Sequence, residues 1–182
     1  MPALLVNIRV VGTDGTPHSS KPPTGHRVHA AVLRVLDCTP LCAWATVASP
    51  CEAHINIGYF SHSPELHLYL MSHPRSLHCQ NLVINPSMAV SVFDSTQNWN
   101  EPGRGVQFFG SCKQVAEADK PQVEGVYSKR YEAYQAWKAN LRGGDPALNY
   151  RFYRFIPDRL KILDEPEFGD AIFVVAEIAR VS

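Results

Sequence analysis

Four short apolar segments follow one another along the first half of the chain. They read "LCAWATVAS", "EAHINIGYF", "ELHLYLMS" and "SMAVSVFDS". Each has the length of a strand, is rich in β-branched or aromatic residues, and is bounded by Pro, Ser or Asn residues that favour turns. A doubly wound parallel sheet needs a crossover helix between consecutive strands, and most of these segments leave no room for one. This order therefore predicts a mainly β fold, an antiparallel barrel with peripheral helices.

Other segments fit the same architecture. In the chain 105–119 an alternating pattern predicts a long strand, in which Gly110 marks a bulge or a close backbone approach. The remaining predicted elements are a helix in 26–40, a short helix in 74–86, one helix in 119–141, and two strand-like runs around Pro157. The expected total is five to seven strands and two or three short helices.

The composition indicates one folded domain. With 182 residues, 45% of them hydrophobic, the chain is long enough to bury one core. The segment Gly12–Gly25 is rich in Gly, Pro, Ser and Thr, which predicts a loop. We therefore divide the chain into an N-terminal strand, arm and loop over 1–25 and a single domain over 26–182.

Charge and cysteine content indicate which partners are excluded and which compartment is expected. Seventeen basic residues balance 17 acidic ones, so no field is expected that would attract nucleic acid or an anionic membrane. The five cysteines form no CxxC pair and lie in apolar stretches, which favours reduced thiols in a cytoplasmic protein and argues against a metal site.

The segment "MSHPRSLHCQNLVINP", residues 71–86, gathers hydroxyl and basic side chains where a strand leads into a helix. Unpaired N–H groups and a partial positive charge at a helix N-terminus stabilise an anion. Ser72, Arg75, Ser76 and His78 could therefore hold a phosphate. In the alternative interpretation Ser76 only caps the helix, and Arg75 and His78 point into solvent.

The chain resembles the pyridoxamine 5'-phosphate oxidase-like family of FMN-binding split barrels. The resemblance covers about Val28 to Asp164 and is carried by "CAWATV", "LHLYLMSHPRSLHCQNLVINPSMAVSVFDST", "GRGVQFFGSCKQV" and "YRFYRFIPDRLKILDE". It implies a split antiparallel β-barrel, FMN as the cofactor, and a homodimer with the flavin at the subunit interface. It also implies a flavin-dependent reductase or oxidase that acts on an unidentified small-molecule substrate.

The same resemblance assigns the phosphate anchor residue by residue. Ser72 falls at the strand-end hydroxyl, Ser76 at the serine that opens the helix, and His78 at a basic position two residues later. Leu77 stands where many members carry an Arg. Arg75 is expected to supply the missing charge from one turn earlier.

Further contacts follow from the family pattern. His54, Asn56 and Ile57 lie on the strand expected along the isoalloxazine ring, where backbone groups near Asn56 and Ile57 would meet its polar edge. Gln107, in "GVQFFG", is expected near the ring or the phosphate.

Three residues of the irregular segment "FDSTQNWNEPGRG" form the candidate substrate side, because loops between strands often carry binding groups. They are Asp94, Thr96 and Trp99.

Two alternatives remain open for the function. The chain could bind a flavin or a deazaflavin without turnover, or it could be a haem-binding split barrel. Pyridoxamine phosphate itself is not the expected substrate, because the C-terminal "FGDAIFVVAEIARVS" lacks the basic residues that the true oxidases use for the substrate phosphate. Tyr127, Tyr131, Tyr134 and Trp137 follow helical spacing and are expected to pack rather than to bind a ligand.

Overall fold

A computed structural model describes residues 2–48 and 52–179. Cys51 and the end of the predicted strand "LCAWATVAS" lie outside these ranges. The strands are β1 Leu4–Val11, β2 Leu41–Ala48, β3 Glu52–His62, β4 Leu68–Ser72, β5 Ser87–Phe93, β6 Arg104–Gln114, β7 Arg151–Asp164 and β8 Phe173–Ala179. The helices are α1 Gly25–Cys38, α2 Leu77–Ile84, α3 Lys120–Arg130, α4 Tyr134–Asn140 and α5 Glu165–Phe168, with a 3-10 helix at Pro146–Asn149.

All the described strands belong to one antiparallel sheet. Their order is β1-β8-β7-β4-β3-β2-β5-β6, and β6 also pairs with β7. This last pairing closes six strands into a barrel, with β8 and β1 as an extension on one side. The predicted mainly β split barrel with peripheral helices is confirmed.

The core fills the barrel interior. From α1, the side chains of Val28, Val32 and Leu36 are fully buried, and Leu33, which the apolar spacing of 26–40 places on the same face, is partly buried against the core. They join Phe60, Phe108 and other residues of the barrel strands in one cluster. A smaller aromatic cluster outside the barrel packs α3 and α4 against the sheet through Tyr127, Tyr134 and Phe152. The aromatic residues at helical spacing thus pack, as expected.

The predicted helix over 119–141 is wrong in one respect, because the structure divides it into α3 and α4. The backbone leaves the helix at Tyr131, which is extended with φ −120° and ψ 93°. The Tyr131 hydroxyl donates to the carbonyl oxygen of Phe60 at 2.6 Å and to that of Pro40 at 3.0 Å. These contacts hold Tyr131 against β3 at the residue where the helix ends.

Strand counts also differ from the expectation. The sheet has eight strands where five to seven were expected. The two runs around Pro157 form the single strand β7, and β8 was not predicted as a strand. The N-terminal strand β1 pairs with β8, with Leu4 opposite Ala179 and Val11 opposite Phe173. None of the described helices has the length and apolar character needed to cross a lipid bilayer.

Gly110 lies where the barrel closes. The β6–β7 register shifts between Phe109 and Gly110, because Phe109 is opposite Arg159 while Gly110 is opposite Pro157. A Cβ atom on Gly110 would lie 2.2 Å from the Ile156 carbonyl oxygen and 2.7 Å from the Pro157 Cα. The predicted bulge and close backbone approach are therefore confirmed, and both occur at this residue.

Replacing Gly110 with Ala is expected to lower the free energy of unfolding by about 1–3 kcal/mol, because the contacting atoms are backbone atoms that cannot rotate away. Urea denaturation of the two proteins, followed by circular dichroism, measures the difference.

Gly125→Ala is the matched control. A Cβ atom at Gly125 in α3 meets nothing within 4 Å. This change should leave stability equal or raise it by about 0.5–1 kcal/mol, because Ala favours the helix over Gly. Equal losses for the two variants would contradict the steric argument at Gly110.

Candidate functional site

A tight turn brings the start of α2 back to the end of β4. After Ser72, the backbone N–H of Ser76 donates to the His73 carbonyl oxygen at 2.9 Å. The N–H of Arg75 donates to Nδ1 of the His73 ring at 3.1 Å. The strand-end serine and the helix N-terminus therefore lie side by side, as the sequence predicts for this segment.

The hydroxyls of this turn meet at one imidazole. Oγ of Ser72 lies 2.8 Å from Nε2 of His78, and Oγ of Ser76 lies 3.1 Å from the same atom. The two hydroxyl oxygens are 3.3 Å apart. Ser76 occupies the N-cap position of α2, but its side chain makes no cap hydrogen bond. The interpretation that Ser76 only caps the helix is therefore wrong.

His78 is buried, with 7% of its surface exposed, and does not point into solvent. Its ring stacks on that of His54, with centroids 6.2 Å apart and planes 8° from parallel. The ring of Trp44 meets it edge-on at 5.5 Å. Burial, and then the neighbouring His54, lower the pKa of His78 below its usual value. The imidazole is therefore neutral at pH 7 in the free protein.

Residues of strand β2 and helix α2 support the cluster of Ser72, Ser76 and His78. Nδ2 of Asn81 donates to Oγ1 of the buried Thr46 at 3.1 Å, which ties α2 to β2. Gly58 makes room for Trp44, because a Cβ atom at Gly58 would lie 2.7 Å from the indole Cη2. The buried Trp44 Nε1 has no hydrogen-bond acceptor within the described residues.

Strand β3 contributes His54 and an open backbone edge. Within the described residues, β3 pairs with β4 only through Phe60, Ser61 and His62. Residues 52–59 pair with β2 on their other side. The edge of β3 over 52–59 that faces α2 therefore carries backbone N–H and C=O groups without a strand partner.

Asn56 lies on the same face of β3 as His54, because side chains alternate along a strand. Its Nδ2 donates to the carbonyl oxygen of Ile57 at 3.3 Å. Ile57 points to the opposite face, where 67% of its surface is exposed. Only the backbone of Ile57 can therefore contact a ligand at the β4–α2 turn of the same chain.

The positive charge at the β4–α2 turn depends on positions 75 and 77. Leu77 is 52% exposed at the position where an Arg is common in the family. Arg75 is exposed, and the hydrogen bonds it makes within the described residues come from its backbone. The guanidinium of Arg75 is therefore available to a ligand, and it is the cation closest in sequence to the turn.

The structure does not bring Gln107 to this cluster within one protomer. Gln107 is exposed on the outer face of β6, opposite Ser91 on β5 and Lys161 on β7. Lys161 lies near the end of β7, whereas Ser72 is opposite Arg151 at its start.

The segment with Asp94, Thr96 and Trp99 also lies apart from the anchor. Oδ1 of Asp94 accepts the N–H of Thr96 at 2.9 Å and its hydroxyl at 2.7 Å, and these bonds lower the Asp94 pKa. Trp99 is fully exposed. The segment is tied to the far end of β7, where the N–H of Gly103 donates to the Glu165 carboxylate.

Sequence reasoning missed the residues that support the cluster. Trp44 and Thr46 were taken only as parts of an apolar segment, and Asn81 only as part of the segment 71–86. Their signal is weak but present, because Trp44 and Thr46 alternate in "CAWATV" on the inward face of β2. Within the described residues, no group of three or more His, Cys, Asp or Glu side chains is placed to hold a metal ion.

The fold has many solved counterparts of low sequence identity. A putative pyridoxamine 5'-phosphate oxidase from Listeria innocua matches with a TM-score of 0.54 at 17% identity, over 75% of this chain and 98% of that one. A FAD-binding protein from Mesorhizobium loti matches at 0.56 and 14% identity, over 94% and 99% of the two chains. A haem-binding protein from Mycobacterium smegmatis matches at 0.64 and 10% identity, over 87% of this chain and 60% of that one.

No protein-family profile matches the sequence, and no curated protein is similar to it. The chain spans 59% of the length of another matched structure, a protein of unknown function from Agrobacterium tumefaciens. At these identities the likeness establishes the fold. The chain has the split-barrel fold of the pyridoxamine 5'-phosphate oxidase-like proteins, in agreement with the resemblance in its sequence.

Proposed function

We propose that this protein is a homodimeric FMN-binding flavoprotein and a flavin-dependent oxidoreductase of a small molecule, with the FMN phosphate at the β4–α2 turn. The observation that carries the proposal is the convergence of Ser72, Ser76 and the α2 N-terminus on one point. The Ser76 hydroxyl makes no cap bond and contacts only Ser72 and His78 among the described residues, and together with the first-turn N–H groups it would bind the phosphate.

The residues of the anchor fit a phosphate group. The first N–H groups of α2 have no acceptor within the helix and favour an anion. Two hydroxyls and the His78 ring can each donate one hydrogen bond, and the exposed Arg75 adds a charge-assisted one. The isoalloxazine would then lie along the free edge of β3 at 52–59, where backbone groups can pair with its polar atoms.

In such a site the flavin and the protein have different roles. A bound flavin supplies the electron or hydride chemistry, and the protein supplies orientation, hydrogen bonds and exclusion of water. The apolar walls from Trp44 and the buried His78 exclude solvent near the anchor. Solved neighbours with the same fold include a FAD-binding protein and a haem-binding protein, so flavin and haem are the two cofactor classes to separate.

The outer face of the barrel supports the proposal of a homodimer. Ile55, Ile57 and Tyr59 are 69%, 67% and 59% exposed on the outer face of β3. Across β2 they are opposite Ala45, Ala43 and Leu41, so the apolar side chains form one continuous patch. Contiguous apolar patches of this kind mark protein interfaces, and a second copy of the chain is the proposed partner.

A cytoplasmic location is part of the proposal. The four cysteines within the described residues are free thiols, and three of them are buried. Burial raises the pKa of Cys42 to about 12, so this thiol is not reactive at neutral pH. Buried, unreactive thiols are compatible with a reducing compartment.

The dimer is tested by Ile57→Arg. The native protein should sediment at twice the 20.3 kDa chain mass, and the variant should be mostly monomeric at micromolar concentration, because the new charge would be buried in the interface. Leu148→Arg, at an exposed apolar residue in the 3-10 helix, is the control and should stay dimeric. A native protein that sediments only as a monomer would contradict the homodimer.

The phosphate anchor is tested by the double variant Arg75→Ala and Ser76→Ala. Its FMN affinity should fall by about 2–4 kcal/mol, because each charge-assisted hydrogen bond contributes about 1.5–3 kcal/mol and exposure reduces that value. Flavin fluorescence titration measures the affinity. Riboflavin, which has no phosphate, should lose little.

Arg142→Ala serves as the control for the loss of an exposed Arg, because within the described residues the Arg142 guanidinium donates only to the carbonyl oxygens of Ala139 and Leu141, at the end of α4. Equal losses of FMN and riboflavin affinity in the double variant would place the phosphate elsewhere. A native protein that carries haem and does not bind flavin, seen as a Soret band in its absorption spectrum, would reject the flavin proposal.

A further inference from the structure

We infer that the stacked pair of His54 and His78 makes the anchor selective for a phosphate monoester such as FMN over a phosphate diester such as FAD, because the pair takes up a proton only when a dianion binds. This inference rests on the proposed function. It names the ionic form of the ligand that the site prefers and the residues that set the preference.

The geometry allows the pair to hold one added proton and not two. The rings of His54 and His78 are nearly parallel with centroids 6.2 Å apart, so two positive charges would repel each other at short range. His78 is buried, and its Nε2 touches only the Ser72 and Ser76 hydroxyls. Hydroxyls can accept from or donate to the ring, so they accommodate both protonation states.

No fixed negative charge supports a proton on this pair. Trp44, from β2, presents an uncharged ring to His78. From the turn, Arg75 adds positive charge and His73 is used by the Arg75 N–H. Glu52 lies two residues before His54 on the same face of β3, but it is exposed, and no carboxylate within the described residues is bonded to either ring. His78 is therefore neutral until an anion arrives.

An incoming dianion changes this balance. A phosphate monoester carries two negative charges above its second ionisation near pH ~6. At equal distance it attracts an imidazolium twice as strongly as the single charge of each FAD phosphate or of a haem propionate. Because burial and repulsion both oppose the proton, the stronger attraction is the one that can overcome them. FMN should then bind together with a proton taken from solvent, and FAD without one.

Isothermal titration of the native dimer at pH 7.5, in two buffers of different ionisation enthalpy, counts the protons. FMN should bind with uptake approaching one proton per site, and FAD and riboflavin with almost none. In His78→Gln the uptake with FMN should vanish and FMN affinity should fall about tenfold, the equivalent of one pKa unit. Riboflavin affinity should stay within about twofold, which reports that the variant is folded.

The pH profile separates the two histidines. Between pH 7 and 9 the phosphate stays ionised, so native FMN affinity should fall as pH rises toward the pKa of His78 in the complex and then level off. In His54→Gln this fall should move to higher pH, because a neighbour that lowers the His78 pKa is gone. In His78→Gln the profile should be flat.

The outcomes separate this inference from the proposed function. FMN binding without proton uptake, or with uptake that persists in His78→Gln, overturns the inference and leaves the flavoprotein standing. FAD binding with the same uptake as FMN overturns the selectivity. A protein that binds no FMN overturns both.

Discussion

The pairing of β6 with β7 is the interaction on which the rest of the molecule depends. It closes six strands into a barrel, and the same strand β7 also pairs with β4 at its start and with β8 at its end. This 14-residue strand pairs with β6 along one edge and with β4 and then β8 along the other, so it fixes the positions of three other strands. Gly110 permits the pairing of β6 with β7, because its missing side chain lets the two backbones approach at the bulge.

The candidate site lies where the pairing between β3 and β4 ends after a short stretch. Strand β4 has only five residues, and it leaves β3 after three pairs. Helix α2 fills the gap without adding a strand partner, and it is held there by the buried bond between Asn81 and Thr46. The helix N-terminus lacks the side-chain cap that commonly contributes about 1 kcal/mol, so its N–H groups remain available.

Much of this could be read from the sequence. Strand length, turn residues and the apolar face of α1 depend on local patterns, and the structure reproduces them. The order of hydroxyl and basic residues in 71–86 is also local, so the turn at Ser72 and Ser76 was predicted. The helix break at Tyr131 was not predicted, because the contacts that the Tyr131 hydroxyl makes there are with the carbonyl oxygens of Phe60 and Pro40, far away in the chain.

The stacking of His54 on His78 could not be predicted from either segment alone. The two residues lie on different elements, and only the β2–β3 register and the position of α2 bring their rings together. Strand register also decides where Gln107 and the segment around Asp94 lie. The family pattern assigned Gln107 to the site, and the loop argument assigned the Asp94 segment to the substrate side. Strand register places Gln107 on the outer face of β6 and the segment near the other end of β7.

The contact between Trp44 and the His78 ring gives the protein a built-in optical reporter. Of its three tryptophans, Trp44 is buried against the cluster, Trp99 is fully exposed and Trp137 is partly exposed on α4. An indole in a dry, rigid setting emits at shorter wavelength than one in water. A molecule bound at His78 would therefore change the surroundings of Trp44, so occupancy of the site can be followed through tryptophan emission without any label.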